Sequence, residues 1–230
     1  WVMGNCSAVD GNCVVVDDDD CAQAQFCLYD GQCTAVDGSC AATSEEDCEA
    51  SGGCYSEGAC SFEDGMCVIG DSEDCAGSAG CADWGACSLV NGQCAPTSDE
   101  DCADTVVCKQ MGACHFDNGE CAPTTIEDCA QSVACKEGGY CTLGFQGCEP
   151  GSDADCAASN NCKSFGACTV TDWGSCEPGS DADCAASFVC AEMGACTNAN
   201  GWCAPASDAD CLHATICKKD GMCTYSAAQM

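Results

Sequence analysis

Residues Glu149 to Pro178 read E-P-G-S-D-A-D-C-A-A-S-N-N-C-K-S-F-G-A-C-T-V-T-D-W-G-S-C-E-P. The four cysteines of this stretch, Cys156, Cys162, Cys168 and Cys176, recur along the whole chain at nearly constant spacing. From Cys21, Cys27, Cys33 and Cys40 onward the period is 27 residues. It is 28 in the quoted stretch, where Thr169 to Ser175 puts seven residues in place of six. A fixed period of this length is the signature of a repeat architecture. No linker or shift in composition interrupts it, so residues 1–230 read as one continuous repeat array. A partial hairpin unit over 1–20 opens it, seven full periods cover 21–210, and a partial unit over 211–230 follows.

Local signals predict the structure within a period. Ser152 followed by Asp155 has the form of a helix capping box, and Asp17, Ser44, Asp71, Ser98, Thr125, Ser180 and Ser207 are its equivalents. An Asp precedes the first cysteine of every period from Asp20 to Asp210, where the helix dipole favours negative charge. Lys109, Lys136, Lys163 and Lys218 each follow a second cysteine, where a helix end favours a cation. Gly166 and its equivalents stand two residues before each third cysteine, as a left-handed C-terminal cap requires. Each period is therefore expected to hold one helix of about three turns, near the average helix length. The remainder reads as a β-hairpin, with Asp10-Gly11, Asp37-Gly38, Asp64-Gly65, Asn91-Gly92 and Asn118-Gly119 as two-residue turns. Such a turn sets Ala8 opposite Cys13. All five prolines lie two residues after a fourth cysteine and close the hairpin. The expected fold is α+β, small disulfide-rich helix-plus-hairpin repeats stacked as a rod or solenoid, because a unit this small cannot bury a face alone.

Composition explains why cysteine must hold the fold. Leu, Ile, Val and Phe number only 26, about 11% of the chain, and the formal net charge is −33. Such a chain would ordinarily be disordered. Thirty-three cysteines change that, and identify a disulfide scaffold. Metal–thiolate binding is the competing use of cysteine, but the tight C-x2-C turns of zinc and iron–sulfur sites are absent, as are C-x-x-C-H and C-x-C. Two cysteines six apart in one helix lie ~9 Å apart along its axis, beyond the ~7 Å a disulfide spans. Helix cysteines should then bond to hairpin cysteines, tying each helix to the hairpins before and after it. Cys21, Cys27, Cys33, Cys40, Cys156, Cys162, Cys168 and Cys176 are structural on this account. Thirty-three is odd, and two pairing schemes leave either Cys223 or Cys6 over. Those two become the candidate intermolecular cysteines, and head-to-tail joining of protomers the expected consequence.

Charge and composition also exclude partners. All five cations are lysines, so the surface should repel nucleic acids and anionic membranes while tolerating cations. No run approaches the ~18 apolar residues of a membrane span. The chain opens at Trp1, and the expectation is a mature, processed protein that is secreted, extracellular or at the cell surface. Acidic stretches such as Asp17 to Asp20 allow weak Ca2+ binding, although helix capping accounts for the recurring Asp and no D-x-D-x-D-G loop is present. No other cofactor is expected. His115 and His213 occupy unlike positions without recurring partners, so no catalytic constellation is read and no enzyme is expected. Asn5-Cys6-Ser7 is a lone glycosylation sequon. Trp84, Met111, Phe165 and Met193 share the position before the cap glycine and should pack on the hairpin or a neighbouring unit, whereas Trp173 and Trp202 near turn tips offer a sticky surface.

The segments D-C-A-A-S at Asp155 to Ser159 and G-A-C-T at Gly194 to Thr197 resemble those of uncharacterised secreted bacterial proteins built from tandem cysteine-rich units. That resemblance implies an exported location. The role expected from all of this is an extracellular structural protein that self-assembles into a filament, sheath or matrix. The alternatives are a calcium-dependent adhesin or ligand-binding module, and a metal-thiolate protein.

Overall fold

The structure is a computed structural model that describes residues 7–226. It is α+β, and among the described residues sixteen short helices alternate with eight two-stranded antiparallel hairpins. The chain opens with strands β1 (Ser7–Val9) and β2 (Asn12–Val14). Helices α1 (Asp18–Ala22) and α2 (Gln25–Asp30) follow, then strands β3 (Thr34–Val36) and β4 (Ser39–Ala41). Every later period repeats the helix–helix–hairpin order. The described residues fall into two compact units, one of residues 7–107 with 115–121 and the other of 108–114 with 122–226.

The hairpins follow from their turns. Asp37 and Gly38 have φ of 50° and 83°, the left-handed pair a type I′ turn needs. Ala8 pairs with Cys13 and Ala35 with Cys40, the register the turn dictates.

The single helix of about three turns is corrected to two short helices per period. The break falls midway between the first and second cysteines, at Ala24, Ser51, Ser78, Thr105, Ser132, Ser159, Ser187 and Ala214, all of them buried. Ser132 shows how the joint is held. Its backbone is extended (φ −66°, ψ 158°), its hydroxyl donates to the Cys129 carbonyl at 2.7 Å, and its Oγ accepts the Cys135 N–H at 3.0 Å. One hydroxyl thus gives a second donor to the Cys129 carbonyl, which also accepts the Ser132 N–H at 3.1 Å, and satisfies an orphan N–H of the helix after it. Ala24 and Ala214 hold the same extended break without a hydroxyl, so the serine reinforces the break rather than creating it. Lys136 and Lys163 reinforce the joint, donating from Nζ to the Gln131 and Ala158 carbonyls at 3.1 and 3.3 Å. They cap the first helix rather than the second.

The break re-aims the second cysteine, and the disulfide pattern follows. From Cys21 to Cys184 each first cysteine bonds the fourth of its own period, as in Cys21–Cys40 and Cys156–Cys176, with Cα atoms 5.5 Å apart. Each second cysteine bonds the third, as in Cys27–Cys33 and Cys162–Cys168. Helix cysteines do bond hairpin cysteines, but both bridges reach the hairpin that follows. The expected bridge to the preceding hairpin does not form. The short loop of the second pair closes because Gly31 (φ 67°) turns the chain back, leaving Cys27 and Cys33 with Cα atoms 4.4 Å apart.

Successive periods meet at the cap glycines. A Cβ on Gly166 would lie 2.8 Å from Cys203 Sγ and 2.9 Å from the Asp183 carbonyl oxygen, both in the next period. Gly31 stands in the same relation to Asp47 and Cys67. The core is sulfur: Cys21, Cys48, Cys75, Cys102, Cys129, Cys156 and Cys184 are the largest fully buried side chains, ahead of Ser132 and Ser159. Burying a thioether-like disulfide removes apolar surface from water much as burying an aliphatic chain does.

Candidate functional site

Three features carry the chemistry of this chain: its bridged cysteines, its carboxylates and one apolar groove. Among the described residues fifteen disulfides join 30 of the chain's 33 cysteines. Bridges in such number point to an oxidising, extracellular compartment. Cys223, expected as an intermolecular candidate, is instead bonded to Cys217, and Cys6 lies outside the described residues. The described cysteines that carry no bridge are Cys13, exposed on β2, and Cys211, buried in the helix Asp208–Leu212. Sequence counting missed both, because it did not have the first-to-fourth pairing rule. With that rule they are complementary: Cys211 is a first cysteine and Cys13 a fourth.

The carboxylates turn inward onto the backbone. Asp20, before the first cysteine, accepts the Val16 N–H at 2.8 Å and the Ser7 hydroxyl at 3.0 Å. It ties α1 to the preceding hairpin, the junction that a disulfide was expected to make. Asp155 does the same with the Gly151 N–H at 2.9 Å and the Thr142 hydroxyl at 3.1 Å. Ser152 occupies the N-cap without a side-chain hydrogen bond, whereas Ser44, Thr125 and Ser180 complete capping boxes with Asp47, Asp128 and Asp183. Gly166 caps its helix in the left-handed conformation, with φ of 75°. A second set faces forward: Asp18, Asp153, Asp181 and Asp208 each accept a backbone N–H seventeen residues on, at 2.8 Å, from Ala35, Val170, Asn198 and Tyr225. This set gave no sequence signal, since its partners are backbone atoms of the next hairpin.

Accepted N–H donors stabilise the ionised form. The Val16, Thr43 and Ala206 amides hold Asp20, Asp47 and Asp210 below the ordinary carboxylate range, against the opposing pull of burial. Among the described residues no group of three or more His, Cys, Asp or Glu side chains is arranged to hold a metal ion. His115 Nδ1 lies 3.2 Å from Asp99 Oδ2, while His213 is an exposed C-cap residue.

The groove, of about 580 Å³, lies within the second unit and is lined chiefly by Phe165, Pro178, Val189, Met193, Trp202 and Pro205. Glu177 is its one charged lining residue. The position before the cap glycine, expected to pack on the hairpin or a neighbour, leaves Phe165 and Met193 exposed along the groove instead. Trp202, 78% exposed, also lines it, and Trp173 at 93% is among the most exposed apolar side chains of the chain. Among the described residues no helix is long and apolar enough to cross a membrane. Set against protein-family models, curated proteins and solved structures, the chain matches none, so its function rests on its own geometry.

Proposed function

We propose that the chain is a structural protein of the extracellular space, secreted or held at a cell surface, whose disulfide-stapled repeats assemble end to end into a filament, sheath or matrix. The observation that carries this proposal is the repeat itself, seven periods each stapled by two bridges, with Cys13 and Cys211 as the open halves of a first-to-fourth pair among the described residues. Each belongs to one half of a pair that closes in seven periods with Cα separations of 5.3 to 5.5 Å. A bond from Cys211 of one copy to Cys13 of the next continues the array across the junction. In that bond two thiols lose two protons and two electrons to an extracellular oxidant, either a small-molecule disulfide that leaves as two thiols or oxygen. Two further features support the role. Each full period holds its own two bridges, so the array tolerates local damage, and a high negative charge keeps free protomers apart until a bond forms.

The test uses the oxidised full chain prepared as a mixture of ¹⁵N-labelled and unlabelled protein. Non-reducing electrophoresis should show a ladder, and peptide mapping should recover a Cys13–Cys211 bridge joining one heavy and one light peptide. Electron microscopy should show elongated assemblies. Dispersed monomers at high concentration, with both thiols open to alkylation after mild denaturation, would remove the assembly role.

A further inference from the structure

We infer that the groove of residues 161–205 is a binding site for a small organic cation with an aromatic or alkyl body, of the arylalkylammonium class. The repeat geometry builds the groove and the local sequence specialises it. Phe165 and Met193 precede the cap glycines of successive periods, Pro178 and Pro205 follow fourth cysteines by two, and Trp202 precedes the fourth cysteine Cys203. The same positions earlier in the chain, Trp84, Pro96, Val107 and Glu120, line a groove of only about 290 Å³. There a glutamate stands where Trp202 does.

The larger groove falls within the range of roughly 300–1,000 Å³ typical of small-molecule sites. Phe165, Met193 and Trp202 stay 56%, 60% and 78% exposed along it, an apolar surface that a ligand would remove from water.

Charge selects the ligand. Glu177 lines the groove; its Oε1 accepts the Ser175 hydroxyl at 3.2 Å, and it makes no ion pair among the described residues. The chain as a whole carries −33. An anion is repelled and a neutral arene gains only burial. A cation gains burial, the Glu177 carboxylate and the faces of Phe165 and Trp202, which attract positive charge through their ring quadrupoles. A second copy of the chain, equally acidic, is disfavoured as occupant for the same reason.

The experiment titrates the ¹⁵N-labelled full chain with phenethylammonium, 2-phenylethanol and 3-phenylpropionate at fixed ionic strength, following the Trp202 indole N–H and the Val189 and Ala195 amides. The cation should saturate these signals about tenfold more tightly than the alcohol, and the carboxylate should not saturate them. E177Q should bring the cation down to the affinity of the alcohol, and W202A should weaken it about tenfold. Both residues are exposed, and amide shifts that match wild type away from the groove, with all bridges closed by intact mass, confirm that each variant is folded. Equal binding of cation and alcohol, shifts unmoved by E177Q, or shifts lying outside the groove would overturn the assignment. So would a Trp202 signal that moves with protein concentration alone, which would make a second copy the occupant.

Discussion

The carboxylate of Asp47 closes on Thr43: Oδ2 accepts the Thr43 N–H at 2.8 Å and its hydroxyl at 3.0 Å. The same oxygen takes the Ser44 N–H at 3.1 Å, so one atom gathers three donors at the mouth of a helix. Asp47→Asn keeps the shape but replaces a charged acceptor with a neutral one, and should destabilise the chain by about 1 kcal/mol at neutral pH. Paired thermal melts of wild type and variant would check the loss.

Acid should erase that difference. The folded-state pKa of Asp47 lies below its ordinary value, so the unfolded chain takes up the proton first as pH falls. The stabilisation is complete above the unfolded value of about 3.9 and disappears as pH falls through the lower folded value. Comparing wild type with Asp47→Asn at each pH cancels the relief of general repulsion that acid brings to so acidic a chain. The two melting curves should converge at low pH, separate as pH rises toward about 4, and stay a constant distance apart above it.

Ser132 is 1% exposed and serves two helices with one hydroxyl. Ser132→Ala leaves the Cys135 N–H without its acceptor, and should lower stability by about 1–3 kcal/mol. The break itself should survive, because Ala24 and Ala214 already occupy this position with extended backbones. Backbone ¹³C shifts at residue 132 would show it: a helical shift there would mean that the hydroxyl alone interrupts the helix.

Two cap glycines with nearly equal φ separate conformational strain from packing. Gly166 (φ 75°) would set a Cβ 2.8 Å from Cys203 Sγ, whereas Gly221 (φ 73°) has nothing within 4 Å of that point among the described residues. Gly221→Ala should lose about 1 kcal/mol for the left-handed backbone alone. Gly166→Ala should lose clearly more, since the neighbouring period must also move. Equal losses in denaturant melts would show that the periods do not depend on this close approach.

The two bridge types differ in the chain they close, twenty residues for Cys156–Cys176 and six for Cys162–Cys168. Replacing both members by serine should cost about 3 kcal/mol for the longer loop and about 2 for the shorter, on chain-entropy grounds. The buried position of Cys156 should widen that gap. Denaturant titration of the two double variants, each with its remaining bridges confirmed by mass, would rank them.

Much of this was legible in the primary chain. Asp-Gly and Asn-Gly turns set the hairpins and their register, because few residue pairs accept two positive φ angles in succession. Gly166 and its equivalents marked left-handed caps for the same local reason. The two-helix break was harder to see, although Ser51, Ser78, Thr105, Ser132, Ser159 and Ser187 recur between the first two cysteines. A hydroxyl in that position signals either a solvated helix face or a double cap, and only the positions of both neighbouring helices distinguish them.

What the amino-acid order determined alone was the period, the turns, the caps and the need for sulfur, since each depends on residues close in sequence or on composition. The tertiary structure decided which cysteines bond, which carboxylates reach backward and which forward, and where aromatic side chains stay exposed. Pairing depends on distances between atoms nineteen or twenty residues apart, and the extended, buried residue that breaks the helix, a serine at Ser132 and an alanine at Ala24, sets those distances alike in every stapled period.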